Sequence, residues 1–143
     1  MTKTLRLRIV SPDAVVFDGK VRSVQFMGID GSYGILANHA PLMTATLPGV
    51  LKLELEEGKR EELVVTDGFA EMRDNLLTFV CEAGERAKDI DVARAREAEK
   101  RARDLLANRA ALAAEDVLKA EDALRRAMVR QLVGQRSGAS VDL

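Results

Sequence analysis

Along the first part of the chain the apolar positions recur at every second residue. Leu5, Leu7 and Ile9 stand against Thr4, Arg6 and Arg8, and Val21, Val24 and Phe26 follow Gly19. The pattern returns at Val50, Leu51, Leu53 and Leu55, at Leu63, Val64 and Val65, and at Leu76, Leu77, Phe79 and Val80. A period of two puts one face of an extended segment in a core, so each run predicts a strand. Turn residues punctuate the runs at short intervals: Ser11-Pro12-Asp13, Asp18-Gly19, Asp30-Gly31, Pro48-Gly49, Glu57-Gly58, Asp67-Gly68 and Asp74-Asn75. Close spacing of this kind favours antiparallel hairpins in a sandwich or barrel, and no long helix fits before Glu85.

Beyond Glu85 the period changes. From Asp89 to Val133 there is neither Gly nor Pro and Ala is frequent, which suits helix throughout. Asp89 or Asp91 can cap the first helix. Ala95, Ala98, Ala102, Leu105 and Leu106 gather in one stripe, the register breaks between Asn108 and Ala114, and Val117, Ala120, Leu124, Ala127, Met128 and Leu132 form a second stripe. Two helices with one apolar seam each predict an antiparallel hairpin. Alanine buries little area, so at ~25 cal/mol per Å² the seam is marginal and the hairpin is able to move. The expected fold class is therefore α+β, an antiparallel β-sandwich over residues 1–85 followed by an antiparallel two-helix hairpin over residues 86–143.

Composition sharpens that division. All five aromatics, all three prolines and eight of ten glycines precede Glu85. The chain carries 22 basic and 23 acidic groups, but residues 1–85 are net −4 and residues 86–143 net +3. With no basic excess overall, nucleic acid is not an expected partner. One cysteine, Cys81, forms no internal disulfide, which places the chain in a reducing compartment, and the ligand types for a structural zinc are too few. The first ten residues lack the uninterrupted apolar stretch of a signal peptide, so export is not expected. The uncharged run from Gly31 to Leu51 is broken by Gly34, Asn38, His39, Pro41, Pro48 and Gly49 and does not read as a membrane span.

Few motifs carry chemistry. Gly28, Gly31 and Gly34 are spaced by three, unlike a phosphate cradle, and read as glycines of a wide loop. His39 is the only histidine and has no evident nucleophile or orienting partner, and Cys81 reads as a small buried hydrophobe. The arginines say more. Arg126 and Arg130 lie four apart on the second helix, away from its apolar stripe, where like charges repel by ~0.2–0.5 kcal/mol unless an anion sits between them. Lys119, Arg125 and Arg136 add to that basic end, and on the first helix Ile90, Arg94 and Arg101 share a flank, with Asp91 three before Arg94, an ordinary ion pair or half of a nucleotide clamp. Three readings remain open for these charges: a solvated face, a site for an acidic protein surface, or a site for phosphate.

The segment Gly31-Ser32-Tyr33-Gly34-Ile35-Leu36-Ala37-Asn38-His39-Ala40-Pro41-Leu42, followed by Thr44-Ala45 and Pro48-Gly49-Val50-Leu51, resembles the epsilon subunit of the rotary F-type ATP synthases of bacteria and chloroplasts. Val10-Ser11-Pro12 with Val16-Phe17 and Gly19, and later Asp67-Gly68-Phe69-Ala70-Glu71, fit the same family in order; Ala37, where proline is common, and the bulky Tyr33 depart from it. The resemblance covers the whole chain and implies a rotor part of the central stalk of a proton-translocating synthase, not itself an enzyme. It implies a β-domain resting on the gamma subunit and the loops of the c-ring, peripheral to the cytoplasmic face of the cell membrane. It further implies a hairpin that switches from a compact form to an extended one and impedes ATP hydrolysis in the alpha/beta catalytic hexamer. Tyr33 and His39 would face a partner, as would Lys119, Arg125, Arg126 and Arg130 toward the acidic surface of beta. Some bacterial members bind ATP through an Ile/Leu-Asp-x-x-Arg-Ala motif, matched here by Ile90-Asp91-Val92-Ala93-Arg94-Ala95, with Glu85, Arg101, Arg126 and Arg130 at the expected remaining contacts. No cofactor is required on this reading, and ATP enters only as a regulatory ligand. The competing readings are a small-ligand-binding or enzymatic β-barrel protein with an appended hairpin, using His39, and a free-standing coiled-coil adaptor.

Overall fold

The computed structural model describes residues 3–141, which divide into two compact units, one running through Arg86 and the other starting at Ala87. The first holds nine strands: β1 (Leu5–Val10), β2 (Val15–Gly28), β3 (Gly31–Leu36), β4 (Leu42–Thr46), β5 (Gly49–Leu55), β6 (Arg60–Val65), β7 (Gly68–Arg73), β8 (Leu76–Cys81) and β9 (Gly84–Arg86). The second holds the helices α1 (Val92–Ala107) and α2 (Ala114–Val141), with short 3-10 turns at Ala87–Asp89 and Arg109–Ala111.

The fourteen-residue β2 joins two layers. Its first half pairs with β1, and its second half lies between β3 and β5. From β1 the ladder continues through β8 and β7 to β4; from β5 it continues through β6 to β9. The strands enclose one core in which Leu5, Leu7 and Ile9 of β1 share a cluster with Val21, Val24, Phe26, Leu51, Leu53, Leu63, Leu77 and Phe79. Full burial of such side chains contributes ~1.5–3 kcal/mol each. Cys81 is buried in this cluster as a small apolar group, and burial pushes its thiol pKa up.

Three features differ from the sequence reading. The β1–β8 ladder is parallel, since the two strands are distant in sequence and no hairpin fixes their direction. The step from Val21 to Val24 is three residues because the β2–β5 register shifts between Val21 and Ser23, and the extra residue returns the apolar side chains to the core. The glycine-rich stretch is no wide loop. Gly28 faces Gly31 across a two-residue turn, Gly31 takes φ 137, and β3 follows directly.

In the second unit, Asp91 is the N-cap of α1, its carboxylate accepting from the Arg94 amide at 3.1 Å, and Asn108 ends that helix. The two helices run antiparallel: Glu99 accepts from Gln131, Arg103 donates to the Met128 sulfur, and Arg109 pairs with Glu121. Their seam is narrower than the apolar stripes suggest. Ala95, Ala102, Ala120, Ala127 and Val133 are buried, whereas Leu105, Met128 and Leu132 are about half exposed. Two helices bury only the line between them, and the seven-residue spacing of the buried alanines marks that line.

Candidate functional site

The outer surface of the β unit is apolar where β2, β4 and β7 meet. Along β4, Thr46 enters the core while Met43 and Ala45 point outward, and the register sets Ala45 opposite Phe69. The Leu47 amide donates to the Met27 carbonyl at 3.0 Å and the Ile29 amide to that of Ala45 at 2.9 Å. Met27, Ile29, Met43, Leu47 and Phe69 thus gather around one patch, each 41–68% exposed. Exposed apolar side chains gathered in this way mark an interaction surface.

Tyr33 and His39 have structural work nearby. The Tyr33 ring stacks on Phe26 with centroids 5.4 Å apart, and its hydroxyl donates to Asp30 at 2.9 Å, fixing the tip of the β2–β3 hairpin. His39 Nδ1 lies 2.7 Å from the Ala40 carbonyl, an acceptor only, so Nδ1 carries the proton. The same turn is held by Asn38, at φ 62, whose amide donates to the Asn75 side chain at 2.7 Å. The Asn75 amide group in turn donates to the Thr4 carbonyl at 3.0 Å.

On the hairpin unit the basic residues follow a rule. Each buried alanine of the seam is preceded by a cation: Arg94 before Ala95, Arg101 before Ala102, Lys119 before Ala120 and Arg126 before Ala127. In an antiparallel pair the positions just before the seam residues of both helices fall on the same flank, so these four form one basic row. The opposite flank carries Glu99, whose carboxylate accepts from Gln131 and Arg103 at 3.2 Å each and is held below the usual glutamate range by the Gln131 amide first and Arg103 second. The helix register sets Arg101 level with Arg130 and Arg94 level with Arg136.

A sequence profile described as ATP synthase, Delta/Epsilon chain, beta-sandwich domain matches residues 4–87. The ATP synthase epsilon chain of Nitratidesulfovibrio vulgaris is 40% identical over 133 residues, 93% of this chain and 97% of that one. This chain belongs to the ATP synthase epsilon-chain family. The epsilon chain of Pelotomaculum thermopropionicum is 46% identical over 107 residues, 75% of this chain and 79% of its own. In fold, the protein is similar to a chain in the Euglena gracilis mitochondrial ATP synthase OSCP/F1/c-ring assembly, with a TM-score of 0.64 at 20% identity, covering 96% of this chain and 81% of that one. As an epsilon chain it is a non-catalytic subunit of ATP synthase, which sets aside the enzymatic β-barrel reading. Among the described residues no helix is long and apolar enough to cross a membrane, and no three His, Cys, Asp or Glu groups are placed to hold a metal ion.

Within this epsilon-family chain the residues singled out from the sequence are placed as follows. Ile90, Asp91, Arg94 and Ala95 meet at the start of α1, where three of the four have structural roles: Ile90 is buried, Asp91 caps, and Ala95 lies in the seam. Asp91 holds Arg94 through its backbone amide, not as an ion pair with its guanidinium. Arg101 and Arg126 are exposed in the basic row. Arg130 is half-buried and engaged, so the pair Arg126 and Arg130 does not face solvent uniformly as four-residue spacing suggests. Lys119 and Arg125 are exposed, Arg125 pairing with Asp122 at 3.1 Å. Glu85 lies on β9 in the other unit, half-buried and opposite Val64. The patch around Phe69 escaped the sequence reading, although the alternation Met43, Ala45, Leu47 against Thr46 is its signal.

Proposed function

We propose that this epsilon chain is a central-stalk rotor subunit of a proton-translocating F-type ATP synthase, at the cytoplasmic face of the membrane, whose hairpin brakes ATP hydrolysis. The β unit docks through the Phe69 patch on the gamma subunit, with the c-ring loops beside it. The hairpin has two destinations. Folded back, its basic row binds ATP; opened, Lys119, Arg125, Arg126 and Arg130 meet acidic groups of beta in the alpha/beta hexamer. The observation that supports this reading best is the basic row itself, four cations set along one flank of a seam made of alanine. Neighbouring like charges repel, a triphosphate neutralises them, and a seam that buries so little area opens readily once the anion leaves.

Charge-assisted bonds contribute ~1.5–3 kcal/mol each before the cost of ordering the hairpin is subtracted, so affinity is modest. ATP favours the folded-back form by mass action, and the brake engages as nucleotide falls. Titrating the full chain with ATP by calorimetry checks this. The expected result is saturable heat below millimolar ATP, weakened at least tenfold by the Arg94→Ala, Arg126→Ala double change, since each lost charged contact is worth about a factor of ten or more. Absence of heat at millimolar ATP, or equal binding by the double variant, removes the nucleotide and leaves the basic row to the protein partner.

A further inference from the structure

We propose that Gly134 is the catch that keeps the hairpin shut: the notch it leaves in α2 receives Ile90 and Val92, and withdrawal of those two side chains is the step that opens the seam. A Cβ built on Gly134 would stand 2.7 Å from Val92 Cγ2, 3.1 Å from Ile90 Cγ2 and 3.4 Å from Ile90 Cβ. Ile90 is 9% exposed and Val133, beside the notch, is fully buried. Glycine inside a helix is unfavourable, and here it stands well within the 28-residue α2. The close approach of two β-branched side chains, stiff at χ1 and unable to swing aside, accounts for it.

The notch also differs from the rest of the interface. Along the rest of the seam the buried residues are the alanines 95, 102, 120 and 127, while at the end away from the connecting turn the larger Ile90 and Val133 are buried and the half-buried Val92 stands beside the notch. Among the described residues of this unit, full burial of groups larger than alanine falls at the end where the chain enters α1, Leu106, Val117 and Leu124 being only half-buried, and the alanine seam has less to hold it once this end lets go. Ile90 opens the motif that continues through Asp91 to Arg94, and Asp91 caps α1 at the same place, so the start of α1, the notch and the first arginine of the basic row are set by the same few residues. The inference rests on the proposal above that the hairpin opens.

Hydrogen exchange on the full-length chain, without nucleotide or partner subunits, tests it. In Gly134→Ala, amides of residues 95–102 and 120–133 exchange about tenfold faster than in the unaltered chain, because overpacking at the notch raises the open population. In the Val92→Ala, Gly134→Ala double variant, which removes the nearest methyl, Val92 Cγ2 at 2.7 Å, and leaves Ile90 in place, protection returns to within about threefold of the original. If the single variant loses the hairpin entirely, recovery in the double variant still supports the catch. Slower exchange in Gly134→Ala is what helix propensity alone predicts and overturns it; so does a double variant as fast as the single one, or a hairpin equally unprotected in all three proteins. Neither ATP binding nor the brake enters the measurement, so failure of those readings leaves this comparison standing, and its failure leaves theirs.

Discussion

Gly68→Ala lowers the melting temperature of the β unit by about 15 °C, whereas Gly34→Ala moves it by no more than a few degrees. Both glycines lie in strands and neither has a positive φ, so backbone freedom does not separate them. Space does. A Cβ on Gly68 would stand 1.8 Å from the Val80 carbonyl oxygen and 3.0 Å from the Cys81 Cα, whereas one on Gly34 would meet nothing within 4 Å. The obstruction at Gly68 is backbone of β8, paired in register with β7, and backbone cannot rotate away as a side chain does. Relief requires prying β7 from β8 beside Phe79 and Cys81, at about 3 kcal/mol or more. Thermal melts of the two variants followed by circular dichroism check the contrast, and equal melting temperatures would contradict the β7–β8 geometry.

Phe69→Asp weakens binding of the full chain to the gamma subunit at least a hundredfold while its melting temperature stays within a few degrees. Phe69 is 44% exposed on its own, so little core is lost; under a partner it would be buried with Met27, Ile29, Met43 and Leu47. Burying a phenyl ring favours binding by ~1.5–3 kcal/mol, and forcing an unpaired carboxylate into the same place costs more. Val15→Asp serves as the comparison, an exposed apolar position at the other end of β2, opposite Val10. Calorimetry with purified gamma subunit should find Val15→Asp close to the unaltered chain. If Val15→Asp abolishes binding and Phe69→Asp does not, the docking face lies elsewhere.

Much of this architecture is written in local pattern. β1, β5 and β8 alternate cleanly because one face of each lines the core, and the change of period near Glu85 sits beside the division at Arg86 and Ala87. What the pattern misses has physical reasons. β3 reads Gly-Ser-Tyr-Gly-Ile-Leu and buries only Ile35, so alternation has almost nothing to act on; it is a strand because it pairs along β2 from the Gly31 turn. β9 is Gly-Glu-Arg and owes its place to pairing with β6 and to Arg86, which meets both Glu61 oxygens at 2.7 Å and lies over the Phe17 ring. Parallel pairing of β1 with β8 is a long-range fact that turn residues do not encode.

The candidate site divides the same way. The flank shared by Arg94 and Arg101 follows from their seven-residue spacing alone. That Lys119 and Arg126 stand on the same side follows only once the antiparallel register, fixed by Glu99 with Gln131 and Arg109 with Glu121, is known. Of the two cap candidates, Asp89 and Asp91, it is Asp91 that caps α1, and its carboxylate is spent on the Arg94 amide rather than on an ion pair with the Arg94 guanidinium.

ATP hydrolysis by the synthase assembled with either the full chain or a chain ended after Arg86 tests the brake most directly. At low ATP the shortened chain, still docked through its β unit, is expected to leave hydrolysis several-fold faster than the full chain, with the difference shrinking as ATP rises and holds the hairpin folded back. Equal rates for the two assembled enzymes at every ATP concentration, with both chains shown to be bound, would contradict it.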